Sequence, residues 1–118
     1  MAKGVHSESV KAEFLEHAVQ EGQHADMIAE RIVQLGGEPD FNPESLTDRS
    51  HAEYVEAESL EGMIKENLVA ERIAIESYRE MIQYFGDKDP TSRRLLETIL
   101  AVEEEHAEDL SSLLAPGN

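Results

Sequence analysis

Three long stretches of this sequence place apolar residues three and four positions apart, and each breaks that pattern with ionisable residues near its middle. Such spacing describes one face of an α-helix. The first stripe reads Val10, Phe14, His17, Glu21, His24, Ile28, Ile32, Leu35. The second reads Ile64, Leu68, Glu71, Ile75, Tyr78, Ile82, Phe85, and the third Leu96, Ile99, Glu103, His106, Leu110, Leu113. No segment alternates apolar and polar residues as a half-buried strand does. The chain is therefore predicted to be all-α. A carboxylate inside a core is costly unless it is paired or bound to metal. Three helices that each carry ionisable groups in mid-stripe point to a shared site.

Local signals set the boundaries. Ser7 or Ser9 can cap the first helix, and Gly36-Gly37 with Pro39 just beyond can end it, which predicts a helix over 8–35. The polar stretch 36–58 holds Pro39, Asn42, Pro43 and Thr47 and is long for a loop in a compact domain. Helix bundles use such segments as crossover connections, and the part from His51 to Glu58 can itself begin a helix. A second helix is predicted over 59–85, ended by Gly86. A third is predicted over 90–114, with Asp89 as N-cap, Pro90 at its first position and Pro116-Gly117 beyond its end. The expected organisation is one helical-bundle domain over 1–118 with a long crossover connection.

Charge narrows the partners. The net charge of −16 comes from 10 basic and 26 acidic residues, so nothing here would neutralise phosphates. Nucleic acid and anionic membrane surfaces are not expected as partners, whereas metal cations are. The absence of cysteine excludes disulfides, thiolate metal sites and iron–sulfur clusters, and fits a reducing cytoplasm. No apolar run approaches the ~20 residues needed to cross a bilayer, and the first residues lack a signal-peptide core.

Glu21 and His24 stand three apart, as do Glu103 and His106. On a helix that spacing puts both side chains on one face, one turn apart. Each Glu-x-x-His pair can present a carboxylate oxygen and an imidazole nitrogen to one metal ion, and two facing pairs can hold two ions. Glu21-Gly22-Gln23-His24-Ala25 also parallels Glu103-Glu104-Glu105-His106-Ala107 as a repeat. Glu71 precedes Glu103 by 32 positions, and the same offset back from Glu21 falls before Met1. The repeat thus predicts a further helix and a sixth ligand outside these residues. The competing reading of Glu21, His24, Glu71, Glu103 and His106 is a buried Glu–His network without metal. His17 is read as a hydrogen-bonding residue at the edge of the bundle, with metal ligation as its alternative. Tyr78 is read as a structural hydrogen-bonding residue, with a redox role as its alternative, and His6, His51, Glu104 and Glu105 as exposed. Met27, Met63 and Met81 are expected to fill the core.

The segments Glu21–Ile32, Leu35–Pro39, Leu68–Glu71 and Ile99–His106 resemble bacterioferritins and their relatives in the ferritin-like superfamily. The resemblance runs from the first helix to Leu114. It implies a four-helix fold with a non-haem di-iron centre that oxidises Fe(II) with O₂ or peroxide, and in many members a cage that stores ferric mineral. Carried over by residue, Glu21 and Glu103 resemble the bridging carboxylates, His24 and His106 the imidazole ligands, and Glu71 a terminal carboxylate. Glu21, Glu71 and Glu103 would then be the catalytic carboxylates, with Zn(II), Mn(II) or Co(II) as possible substitutes for iron. Two departures stand out. The family's first helix has no counterpart in these residues, so completion by a homodimer or larger homo-oligomer is expected. Gly22 stands where haem-binding members carry methionine, so haem is not expected. The alternatives are a non-catalytic truncated helical oligomerisation module and a ferritin-like di-metal peroxidase or oxidase.

Overall fold

The computed structural model describes the backbone of residues 2–40 and 60–115, and the side chains of 8–40 and 60–115. Among the described residues there are three α-helices and no strand: α1 (Ala2–Gln34), α2 (Leu60–Phe85) and α3 (Pro90–Leu114). Most of the expected connection, with His51, the helical start near His51 to Glu58, and Ser59, lies outside the described residues, as does the side chain of His6. The chain divides into two compact units, Met1–Pro39 and Asp40–Asn118.

In the first unit, α1 begins at Ala2, ahead of the expected caps Ser7 and Ser9. Ala2 and Lys3 are good helix formers, and serine inside a helix costs too little to stop it. The other end follows expectation. Gly36 takes φ +88°, and its N–H and that of Gly37 donate to the carbonyls of Val33 and Ile32 at 2.9 and 2.8 Å. Only a residue without a Cβ adopts that conformation without strain. Val10, His17 and His24 are buried and Phe14, Ile28 and Ile32 half-buried, so most of the predicted stripe is a real face. Glu21 and Leu35 depart from it, since both are exposed. Leu35 lies in the turn beyond the last helical residue, where the helical phase no longer governs its direction.

In the second unit, α2 and α3 pack together as an αα-hairpin joined by the short turn Gly86–Asp89. Gly86 supplies a left-handed turn at φ +48°. Arg93 closes over the turn, its Nη1 donating to the Gly86 carbonyl at 3.1 Å and to Asp87 Oδ1 at 3.0 Å. Asp89 caps α3 as its position predicts. Its Oδ1 accepts from the Ser92 N–H at 3.1 Å, and its Oδ2 accepts from the Ser92 hydroxyl. The apolar core of this unit is built by Ile64, Leu68 and Ile75 of α2 and Leu96, Ile99 and Leu110 of α3. Each contributes roughly 1.5–3 kcal/mol through burial. The methionines do not follow expectation. Met63 and Met81 are exposed and Met27 is only half-buried. Helical phase explains it, because Met63 and Met81 fall on the side of α2 away from Ile64, Leu68 and Ile75.

Candidate metal centre

The ionisable centre of the hairpin sits between apolar clamps. On α2, Glu71 lies between buried Leu68 and Ile75. On α3, Glu103 and His106 lie between buried Ile99 and Leu110. The same helical phase that sends the aliphatic residues into the core therefore carries these three groups inward. Glu103 is 1% exposed and His106 2% exposed, whereas the Glu71 side chain keeps 14% exposure. The centre thus has a closed floor and one more open carboxylate.

His106 Nδ1 stands 3.6 Å from Glu71 Oε1 and 3.7 Å from Glu103 Oε2. Both distances exceed a normal hydrogen bond. They suit donors that share an ion, since two ligand atoms with bonds of ~2.1 Å at a near-tetrahedral angle stand roughly 3.4 Å apart. Glu71, Glu103 and His106 each offer a ligand atom within 4.8 Å of the others. Two carboxylates and one imidazole form a hard, anionic N/O donor set, which suits Fe, Mn, Zn or Co in the divalent state. Two carboxylates held this close also repel each other, and a cation between them removes that repulsion.

Three of the five predicted ligands therefore meet in the α2–α3 unit. The other two belong to α1, where His24 is buried and Glu21 exposed. His17, expected at an edge, is also buried on α1. Tyr78 is half-buried, and Glu104 and Glu105 are exposed as expected. One structural residue escaped the sequence reading. Arg79 donates to Glu104 Oε2 at 2.9 Å and ties α2 to α3 immediately beside Glu103. Neither residue lies on an apolar stripe, so periodicity gave no signal for the pair. Among the described residues no helix is long and apolar enough to cross a membrane.

Residues 1–117 match the ferritin-like domain of the Ferritin family. The chain is also 30% identical over 116 residues to a DNA protection during starvation protein of Pyrococcus furiosus. That match covers 96% of this chain but 63% of the relative, so the chain spans less than two thirds of that protein's length. An all-helical chain with paired carboxylates and imidazole inside its hairpin, matched almost end to end by this family, belongs to the ferritin-like domain family.

Proposed function

We propose that this protein binds iron at a non-haem di-metal site and oxidises Fe(II), serving iron storage or detoxification. The observation that carries the reading is the meeting of Glu71, Glu103 and His106 inside the α2–α3 hairpin, with ligand atoms within 4.8 Å of one another. Glu103 and Glu21 are assigned as bridging carboxylates, His106 and His24 as imidazole ligands, and Glu71 as a terminal carboxylate. The assignment of Glu21 and His24 rests on the repeated Glu-x-x-His motif and on family membership. The same motif favours a bacterioferritin-like member, with one ferritin-like domain over 1–118 that works as a cytoplasmic homo-oligomer. Gly22 in the position of the haem-ligating methionine argues against haem.

Iron is the substrate here, and its electrons reduce O₂ or peroxide. The protein's own contribution is ligand charge, fixed geometry and shelter. Glu103 and His106, held rigidly on one turn of α3, define the floor. Glu71, more open to solvent, is the residue through which a cation would enter. Aliphatic neighbours Leu68, Ile75, Ile99 and Leu110 exclude water and keep the carboxylates from being screened. The relative named for DNA protection is consistent with this chemistry. A chain of net charge −16 would protect DNA by removing Fe(II) and oxidant rather than by coating phosphates.

Anaerobic titration with Fe(II), followed by O₂ uptake and near-ultraviolet ferric-oxo absorption, tests the reading. Two irons per chain and a saturable oxidation burst are expected. Glu103→Ala should abolish paired binding, and unchanged stoichiometry in that variant would remove Glu103 from the site. A chain that takes up no iron at all is a helical assembly module.

A further inference from the structure

The first helix carries more ligand-type residues than the di-metal centre uses. Glu13, His17, Glu21 and His24 recur at spacings of four, four and three. On an α-helix they fall within an arc of about 80°. Glu21 and His24 are assigned to the di-metal centre, which leaves Glu13 and His17 unexplained. His17 is 8% exposed and Glu13 half-buried, so neither is a solvated surface residue. Each offers a ligand atom, and the two atoms lie within 4.8 Å of each other.

The internal repeat shows what the fold itself asks of these positions. Aligning the two Glu-x-x-His motifs sets Glu21 against Glu103 and His24 against His106. The same alignment sets Phe14 against Leu96 and Ile28 against Leu110, so apolar residues match apolar residues. Glu13 then falls against Leu95, and His17 against Ile99. Burial follows the alignment, because Glu13 and Leu95 are both half-buried and His17 and Ile99 both buried. On α3 the two positions are filled with aliphatic groups, which gain from burial. On α1 they hold a carboxyl group and an imidazole, whose removal from water must be compensated. Replacing a buried polar pair by aliphatic residues of similar volume is often neutral or stabilising. Packing therefore gives no reason for Glu13 and His17, whereas a bound cation does.

We propose that Glu13 and His17 hold a divalent cation of their own, separate from the di-metal centre. A carboxylate oxygen and an imidazole nitrogen form an N/O donor pair that suits Fe, Co, Mn or Zn in the divalent state. Four positions apart on one helix, the two side chains share a face, one turn apart. With bonds of ~2.1 Å, a small turn of the Glu13 side chain brings both donors onto one ion. Fully buried Val10 and half-buried Phe14 flank the pair on the same stripe. Water reaching in beside half-buried Glu13 fills the remaining coordination positions. Both side chains make polar contacts within the protein, which orient them without metal. Two protein ligands, with no carboxylate bridging to a second ion, hold a cation less tightly than the di-metal centre does. This ion is therefore the weakest bound. The site shares no residue with the five assigned to the di-metal centre, so it does not rest on that reading.

Equilibrium dialysis of the full chain against Co(II) under argon counts the ions. The unsubstituted chain should bind two tightly and a third more weakly. Glu13→Leu/His17→Ile gives α1 the residues that α3 carries at the matching positions. It should keep its helical circular dichroism and melt no lower than the unsubstituted chain in chelator, yet lose the third ion. Glu103→Ala should lose paired binding and keep the third ion. Should the di-metal reading fail and this one hold, the chain binds a single ion that Glu103→Ala keeps and Glu13→Leu/His17→Ile loses. Unchanged stoichiometry in Glu13→Leu/His17→Ile overturns the proposal. Nitrogen-15 spectra of the imidazoles in the unsubstituted chain decide the matter even if that variant does not fold. Zn(II) beyond two equivalents should move a ring nitrogen of His17 and leave those of His24 and His106, already saturated, in place. A His17 ring that the third equivalent does not move also overturns the proposal.

Discussion

Replacing Glu103 by glutamine should make the metal-free protein more stable and the metal-loaded protein less so. Glu103 is 1% exposed, and its ligand oxygen lies within 4.8 Å of that of Glu71. Two unit negative charges at that separation repel by roughly 3–4 kcal/mol at the effective dielectric of about 20 that suits protein sites. The His106 imidazole, 3.7 Å away, and the further polar interactions of Glu103 offset part of this. A net gain of about 1–3 kcal/mol is left for the isosteric, uncharged Glu103→Gln. For a chain of this size that is a rise in Tm of roughly 3–12 °C. Metal reverses the order. A ligand at a hundred times its Kd adds about 2.7 kcal/mol to the state that binds it. The unsubstituted chain should rise by that amount with Fe(II) or Co(II), and Glu103→Gln by much less. Thermal melts followed by circular dichroism under argon, with chelator and with metal, measure all four states. The reasoning fails if Glu103→Gln melts lower than the unsubstituted chain in chelator and metal raises both equally. That result would mean that the protein's own partners of Glu103 outweigh the repulsion and that the residue is not kept for a cation.

Three further substitutions separate what holds the hairpin from what sits in it. Asp89→Ala removes the acceptor for the Ser92 N–H and hydroxyl. Denaturant unfolding should show a loss of about 1 kcal/mol, with metal stoichiometry unchanged. Ile99→Ala opens a cavity at a fully buried position next to the centre. It should cost about 2–5 kcal/mol and also weaken metal binding, because Glu103 loses the neighbour that fixes its rotamer. Arg79→Ala breaks the 2.9 Å bond to Glu104 between two half-exposed side chains. Its effect on stability should stay within about 0.5 kcal/mol in the same assay.

The hairpin was legible because its local and tertiary signals agree. Asp89 and Pro90 start α3, Gly86 ends α2, and the stripes from Ile64 to Ile75 and from Leu96 to Leu110 mark the faces that are buried. Glu71, Glu103 and His106 could be picked out for one reason: each breaks an otherwise aliphatic stripe. Where the reading went astray, a local rule was asked a tertiary question. Ser7 and Ser9 are good caps, but a serine caps only if the helix stops there, and nothing in Ala2 to Val5 stops it. Residue type alone places Met63 and Met81 in the core, whereas their phase against Ile64 and Leu68 puts them outside. Glu21 and Glu103 share a motif, yet one is exposed and the other buried. A repeat copies the spacing of side chains, and it carries no information on what surrounds them.

The burial pattern also explains why a site of this kind sits in mid-helix. A carboxylate placed near a helix end, or on a loop, can turn to water and escape the repulsion of its neighbour. Glu103 cannot, because Ile99 and Leu110 hold α3 against α2 on both sides of it, and Asp89 and Gly86 fix the register of the two helices at the near end. The hydrophobic energy of the hairpin is thus applied to keep ligand atoms of two carboxyl groups within 4.8 Å of each other. On the proposed metal-binding reading, that arrangement lowers the stability of the metal-free protein and prepares the ligands for a cation before one arrives. The same logic accounts for the acidic outer face of α3. Charges that are free to hydrate there cost little, and they bias the surroundings toward the ions that the centre would hold. Stability, cation attraction and ligand geometry are therefore set by one property, the phase of each residue about its helix axis.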